Sequence, residues 1–502
     1  MTAGRIRIGA GIVVALVLAV LPLLVRPAAP VVAATGSGAG QVAAVGRSTL
    51  VCPGVGSTSD VTSSVSAGAW PARLTPALAS SLAGRAGDVT TKWVGTGSGT
   101  GSAPATAGTA LGGLGYISRG GRASSSPPIG VVRGLAMVST GPLAAGAALT
   151  ETSRATKATF AGLAEVACTP PGTDFWFTGL SEDIGQHAAV VLTNSDDAAA
   201  TIEVDISDES GPVGSGRSQT VTAGARSQFI LDLDKLAPGS KVVGVHVHVT
   251  TGRIAATARQ LGTSGETSQG WDWLAPTSAP ARIVTIPGVV AHAGAVSLSL
   301  LVPGTDTGTA TIEVLGPDGA VRPAGKDTVT LSPGETHAVD LTGVFDGKGS
   351  AVRVTSDVDV VAGVRQSAAT PGDASTDIAL LAPGVPVVTT VAVPGPLTGT
   401  TGVVSLTSTG PAVDVQVEVL DRLGKQLSST MLRVSDSSTA TYALPPSAVG
   451  GSVVVTTPRA DAVVVARALT SAAKGGRPQL TVLQPAPPQI ESGRSALART
   501  LR

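Results

Sequence analysis

The pentapeptide Ala-Thr-Ile-Glu-Val stands at 200–204 and again, unchanged, at 310–314. Each copy alternates apolar and polar residues, and each runs into a Gly-Pro or Pro-Asp-Gly turn. Successive side chains of a strand point to opposite faces, so this alternation reads as a half-buried strand. The surroundings repeat too. Arg259-Gln260, Arg365-Gln366 and Arg467-Ala468 end Val/Ala-rich stretches. Leu274-Ala275-Pro276, Leu381-Ala382-Pro383 and Leu483-Gln484-Pro485 close the units that contain them. Arg365 lies 106 positions beyond Arg259, and Arg467 lies 102 beyond Arg365. That period is too long for a propeller blade or a solenoid coil. It fits one immunoglobulin-like sandwich of about 100 residues.

Within 284–388, short runs rich in Val, Thr, Ile and Leu are separated by Gly, Pro or Asp. There are roughly eight such runs at a spacing of about 10 residues, the pattern of an antiparallel sandwich. The 64 Gly and 34 Pro supply the turns. Aromatic residues are 2% of the chain, so the cores must be built from Val, Leu, Ile and Ala. The expected fold is all-β: tandem immunoglobulin-like antiparallel β-sandwich repeats after an N-terminal signal or anchor helix. The expected divisions are 1–34 (signal peptide or signal anchor), 35–170 (a degenerate, Gly/Ser-rich first β unit), 171–283, 284–388 and 389–490 (sandwich units), and 491–502 (a basic tail).

The first 34 residues have the layout of an export signal. Arg5 and Arg7 precede an uncharged, mostly apolar run at 8–25, and Val32-Ala33-Ala34 offers small residues for cleavage. The run is also just long enough to remain as an anchor. Its basic flank would then leave the rest of the chain outside the cell. Either way the protein is expected to be extracytoplasmic, secreted or held to the plasma membrane by 8–25, and to touch the membrane nowhere else. An exported chain with two cysteines permits one disulfide, Cys52–Cys168, around the weakest unit.

The catalytic signatures tested are absent from the sequence: no nucleophile elbow, no His-Glu-x-x-His, no phosphate loop and no dinucleotide-binding glycine triplet. With 34 basic and 34 acidic residues there is no field to hold nucleic acid. No catalytic residue, cofactor or metal is therefore expected. His246 and His248 share a strand face and form half a metal site, but no third ligand is identifiable in the sequence, so a solvated face is the expectation. Asp232 with Asp234, and Asp357 with Asp359, read the same way. The three repeated arginines are expected to share one register, either as a repeated ligand contact or, in preference, pairing with a carboxylate at the sandwich rim or covering its apolar edge. The most site-like residues are the aromatics Phe175, Trp176, Phe177, Trp271 and Trp273, in the segments 172–179 and 270–276. They are candidate contact residues for stacking on sugar rings, or else plugs between units.

The exported N-terminus, the Leu-Val-Cys-Pro-Gly opening at 50–54, the Cys-Thr-Pro-Pro-Gly return at 168–172 and the repeated Val-rich strands ending in Arg-Gln resemble a family of uncharacterised actinobacterial exported envelope proteins. That family is classed as a domain of unknown function, and its members are often encoded beside membrane glycosyltransferases. The resemblance implies no activity and no catalytic residues. It points the partner expectation toward cell-wall glycan, or toward an envelope membrane protein such as a glycosyltransferase. The expected function is an exported, non-enzymatic cell-envelope scaffold or adaptor. The alternatives are a carbohydrate-binding module array and an unrecognised glycan-active enzyme.

Overall fold

A computed structural model describes residues 161–486, apart from 278, 292, 346, 370–375 and 472–477. Ahead of these it describes 42–44, 46–57, 61–69, 89–96, 122–125, 131–141, 144 and 146–155, and after them 491–493. The export segment, including 8–25, and nearly all of the basic tail lie outside the described residues. Among the described residues no helix is long and apolar enough to cross a membrane. The chain divides into a unit of 1–43 with 492–502 and a unit of 44–491, and the account below concerns the second.

That unit is built almost wholly from β-strands, in the order the repeats call for. In the second sandwich one sheet runs Asp174–Leu180, Val243–Thr251, Ala200–Asp208, Gln219–Ala223. Its partner runs Ser227–Asp232, Gln186–Asn194, Ala255–Ser264, Thr267–Leu274. The fourth repeats this order: Thr390–Pro394, Ser452–Thr456, Val413–Leu420, Gln426–Val434 against Thr439–Ala443, Thr401–Ser408, Val463–Ser471, Gln479–Leu483. In the third, one 20-residue strand, Ser350–Ala369, serves both sheets. The first keeps the order with fewer strands: Arg47–Ser57, Val131–Thr140, Val89–Thr96 against Arg122–Ser125, Val61–Ala69, Ala147–Ala155, Gly162–Ala167. The Gly/Ser-rich region thus holds a recognisable sandwich. Part of its stability is borrowed: Gly95 and Thr96 pair in parallel with Ser227 and Gln228, joining the first two sandwiches through one sheet.

The repeated pentapeptide is the third strand of its sandwich. Ala200, Ile202 and Val204 face one core, and Ala310, Ile312 and Val314 the next. Burying each of the larger residues contributes roughly 1.5–3 kcal/mol. With few aromatics the cores stay thin, and each needs a lid.

The lid comes from the neighbouring sandwich. The four closing strands, Gly162–Ala167, Thr267–Leu274, Thr376–Leu381 and Gln479–Leu483, each pack against at least two of the others and so close a ring, which the contact of the first with the third crosses. Residues on alternate faces of a closing strand serve different cores. Leu381 belongs to the third sandwich's core, while Leu380 and Ala382 enter the second's. Leu480 and Val482 of the fourth sandwich enter the third's core. Ala167 of the first enters the fourth's. Trp271 and Trp273 of the second pack on Ala164 and Val166 of the first.

Candidate functional site

The residues singled out from the sequence separate into two places, the ring's interior and one outer sheet face. Trp271 and Trp273 are 3% and 6% exposed, edge to face with ring centroids 5.8 Å apart, and fill the seam between the first and second sandwiches. Phe175 and Phe177 alternate inward from the opening strand of the second sandwich, into its core. Of the two readings open for these residues, the plug between units fits Trp271 and Trp273, while Phe175 and Phe177 are ordinary core residues. A chain so poor in aromatics uses its largest side chains as plugs where neighbouring sandwiches leave the most space. Of the five candidates only Trp176 reaches the surface, because it points away from the core between Phe175 and Phe177.

The ring's interior is polar where strands meet end-on. Asp272 is fully buried; its carboxylate accepts N–H bonds from Leu380 (2.9 Å) and Glu165 (3.4 Å), on two other closing strands. Asp377, also buried, accepts from Leu480 (2.9 Å) and Leu163 (3.0 Å). These closing strands form no common ladder, so the two carboxyls satisfy amides that would otherwise be stranded. Burial raises both well above the usual carboxylate range, and the neighbouring Asp377 carboxyl adds to the rise at Asp272. Space here is tight: a Cβ on Gly270, held at φ +92°, would stand 2.5 Å from an Asp377 oxygen. Neither aspartate was singled out in the sequence, although Asp272 lies between Trp271 and Trp273 in the segment 270–276.

The three repeated arginines do not share a register, a further correction. Arg259 and Arg365 pair with Trp273 and Leu380, whereas Arg467 pairs with Leu483. The one-residue shift turns Arg467 inward. It is fully buried and bonds Glu165 of the first sandwich's closing strand. Burial lowers the Arg467 pKa, and Glu165 opposes that fall. Thr152 also donates to Glu165 (2.7 Å). Cys52 and Cys168 form the expected disulfide, with Cα atoms 4.5 Å apart, inside the small core of the first sandwich. Asp232, Asp234, Asp357 and Asp359 are all exposed.

The outer face of the second sandwich carries the other cluster. Val245, Val247 and Val249 are buried, so His246 and His248 point outward from the same strand. The antiparallel partner strand sets Asp174 opposite His248 and Trp176 opposite His246. Asp174 Oδ2 lies 3.1 Å from His246 Nε2 and 3.5 Å from His248 Nδ1. Trp176 stacks on His246 at 3.7 Å between centroids, 7° from parallel, and its Nε1 donates to Asp174 Oδ1 (2.7 Å). On the other side, Asp205 Oδ2 lies 3.5 Å from His246 Nδ1. Asp174 is the third group that sequence spacing could not supply. It stands 72 positions before His246, and only strand pairing brings them together. Its signal was its place in the aromatic segment already singled out at 172–179.

A family model described as a family of unknown function, DUF5719, matches residues 120–445, which includes parts of all four sandwiches. The chain belongs to the DUF5719 family. No curated protein matches it. Among solved structures, this DUF5719 chain is similar to Thermotoga maritima 1070 at 20% identity, over 20% of its own length and 93% of that chain, with a TM-score of 0.18. It is similar to an anti-sigma factor domain-containing protein from Clostridium clariflavum at 9% identity, over 70% and 86% of the two chains, with a TM-score of 0.13. A glycosyl hydrolase family 2 member from Bacteroides cellulosilyticus matches at 12% identity over 48% and 29%, with a TM-score of 0.11. At these scores none of the three carries an argument about fold or function.

Proposed function

We propose that this DUF5719 protein is an exported, non-enzymatic scaffold or adaptor of the cell envelope. The observation that supports this reading is the use made of its reactive residue types. Asp272, Asp377, Glu165 and Arg467 are the most deeply buried charged groups of the ring interior, and they hold closing strands to one another. Trp271 and Trp273, the residues best suited to stack on a sugar, are buried in a seam. A molecule that commits such groups to fixing four sandwiches in one arrangement presents a stiff outer surface, which is what an adaptor needs. The disulfide fits an oxidising compartment outside the cytoplasm. The partner on this reading is cell-wall glycan or an envelope membrane protein such as a glycosyltransferase.

Two measurements test it together. Fractionation of cells producing the full chain should place it in the envelope or medium with no free thiol. Incubation of the purified chain with cell-wall material should give co-sedimentation without release of sugar or peptide. A reduced cytoplasmic protein overturns the export reading. Hydrolysis of wall polymer that disappears when one Asp or Glu is changed overturns the non-enzymatic one.

A further inference from the structure

We propose that Asp174, His246 and His248 bind a divalent transition-metal ion of the zinc class on the outer face of the second sandwich. The three offer ligand atoms that all lie within 4.8 Å of one another. Two imidazole nitrogens approach the same oxygen, Asp174 Oδ2, at 3.1 and 3.5 Å. Zinc bonds of about 2.0–2.1 Å in tetrahedral geometry set neighbouring ligand atoms roughly 3.4 Å apart. Two edges of the tetrahedron are thus already near length.

Two of the three ligand-group atoms not needed for the ion are engaged elsewhere. Asp174 Oδ1 accepts the Trp176 Nε1–H, which leaves Oδ2 facing the histidines. His246 turns Nδ1 toward Asp205 Oδ2, and its ring plane is set by the stacked Trp176. A carboxylate on the far nitrogen fixes the tautomer and raises the basicity of a metal-binding imidazole. The rival explanation is a surface ion pair. An ion pair between groups this exposed contributes little, and it gives no reason for two imidazoles to converge on one oxygen. Two nitrogen donors and one carboxylate suit zinc, nickel or copper rather than calcium or magnesium, which take oxygen ligands.

Three protein ligands leave at least one position open. His246 and Trp176 also line a groove of about 270 Å³, together with Asp205 and Arg217 and, from the third sandwich, Leu301 and Gly334. A water from the solvent would complete the coordination. This inference goes beyond the scaffold reading and stands independently of it.

The test uses the full chain, stripped with a chelator and titrated with zinc chloride by calorimetry and with cobalt chloride by visible absorption. One zinc per chain is expected, with the intense visible bands of four- or five-coordinate cobalt and a rise in melting temperature on adding zinc. His248→Ala and Asp174→Asn should each weaken zinc binding by roughly ten-fold or more and remove the cobalt bands. Both residues are exposed, so the metal-free variants should melt with the metal-free parent. His187→Ala, an exposed histidine of the neighbouring sheet, should change nothing. Millimolar binding only, no cobalt bands, or binding that survives both ligand substitutions overturns the proposal.

Discussion

Glu165 and Arg467 are 302 positions apart and form an ion pair with no solvent exposure on either side chain. They join the closing strand of the first sandwich to the penultimate strand of the fourth. A buried pair of this kind adds little net stability over an apolar substitute, but removing one partner leaves a bare charge. Glu165→Ala should therefore destabilise by about 3–5 kcal/mol in urea unfolding. Glu165→Leu with Arg467→Met together should cost much less than either alone. A strictly additive double-mutant cycle would contradict this account.

Asp272 answers to a different test. Asp272→Asn keeps an acceptor oxygen for the Leu380 amide, whereas Asp272→Leu strands it along with the Glu165 amide. The leucine variant should lose about 1–3 kcal/mol per stranded donor, and the asparagine variant clearly less. Thermal melts of the two, side by side, decide it.

Acidity should stabilise this protein. Burial raises the Glu151 carboxyl from 4.5 to about 7. A carboxyl whose folded pKa is raised is favoured while protonated, so its contribution is full below 4.5 and is lost as pH climbs through about 7. Asp272 and Asp377 move in the same direction. The melting temperature should fall between pH 5 and pH 8. Glu151→Gln should remove part of that slope, worth up to about 3 kcal/mol. A melting temperature that rises over this range would refute the burial argument.

The disulfide closes a loop of 116 positions around a small core. Cys52→Ser with Cys168→Ser should cost up to about 4–5 kcal/mol. The first new protease cuts should fall before residue 168. Cuts appearing first in the fourth sandwich would show that the bond steadies something else.

Trp271→Ala should open a cavity in the first seam and cost about 3–5 kcal/mol. Retention on cell-wall material, corrected for unfolded protein, should stay as it was. Lost retention in a folded Trp271→Ala protein would revive the stacking role.

Much of the fold was legible because period-2 alternation survives in strands such as 200–208 and 413–420, and because Leu-x-Pro marks the closure of the second, third and fourth sandwiches. The relations between sandwiches were not legible. Whether Leu380 faces its own core or its neighbour's depends on which face another sandwich covers, and alternation alone is silent on that. Arg467 misled for a related reason: the Arg-bearing strand slips one residue against its partner, and a slip of one exchanges the faces. Asp272 and Asp377 went unmarked because an acid in a β-rich segment is normally solvated. The outward direction of His246 and His248 was read correctly, but their company was not. Asp174 becomes a neighbour only through the pairing of the opening strand with Val243–Thr251.

Because the closing strands of the first, third and fourth sandwiches enter a core that is not their own, and that of the second fills a seam with the first, copy number is constrained. An open array of sandwiches can gain or lose a member at either end. Here, deleting one member would leave one interior uncapped and one cap with nothing to cover, and inserting a fifth would part Glu165 from Arg467. The sequence order also imposes a schedule. Ala167 stays uncovered until the fourth interior forms, and the first sandwich's Glu165 waits for Arg467, 302 positions later. A chain made from its N-terminus cannot complete its sandwiches one at a time.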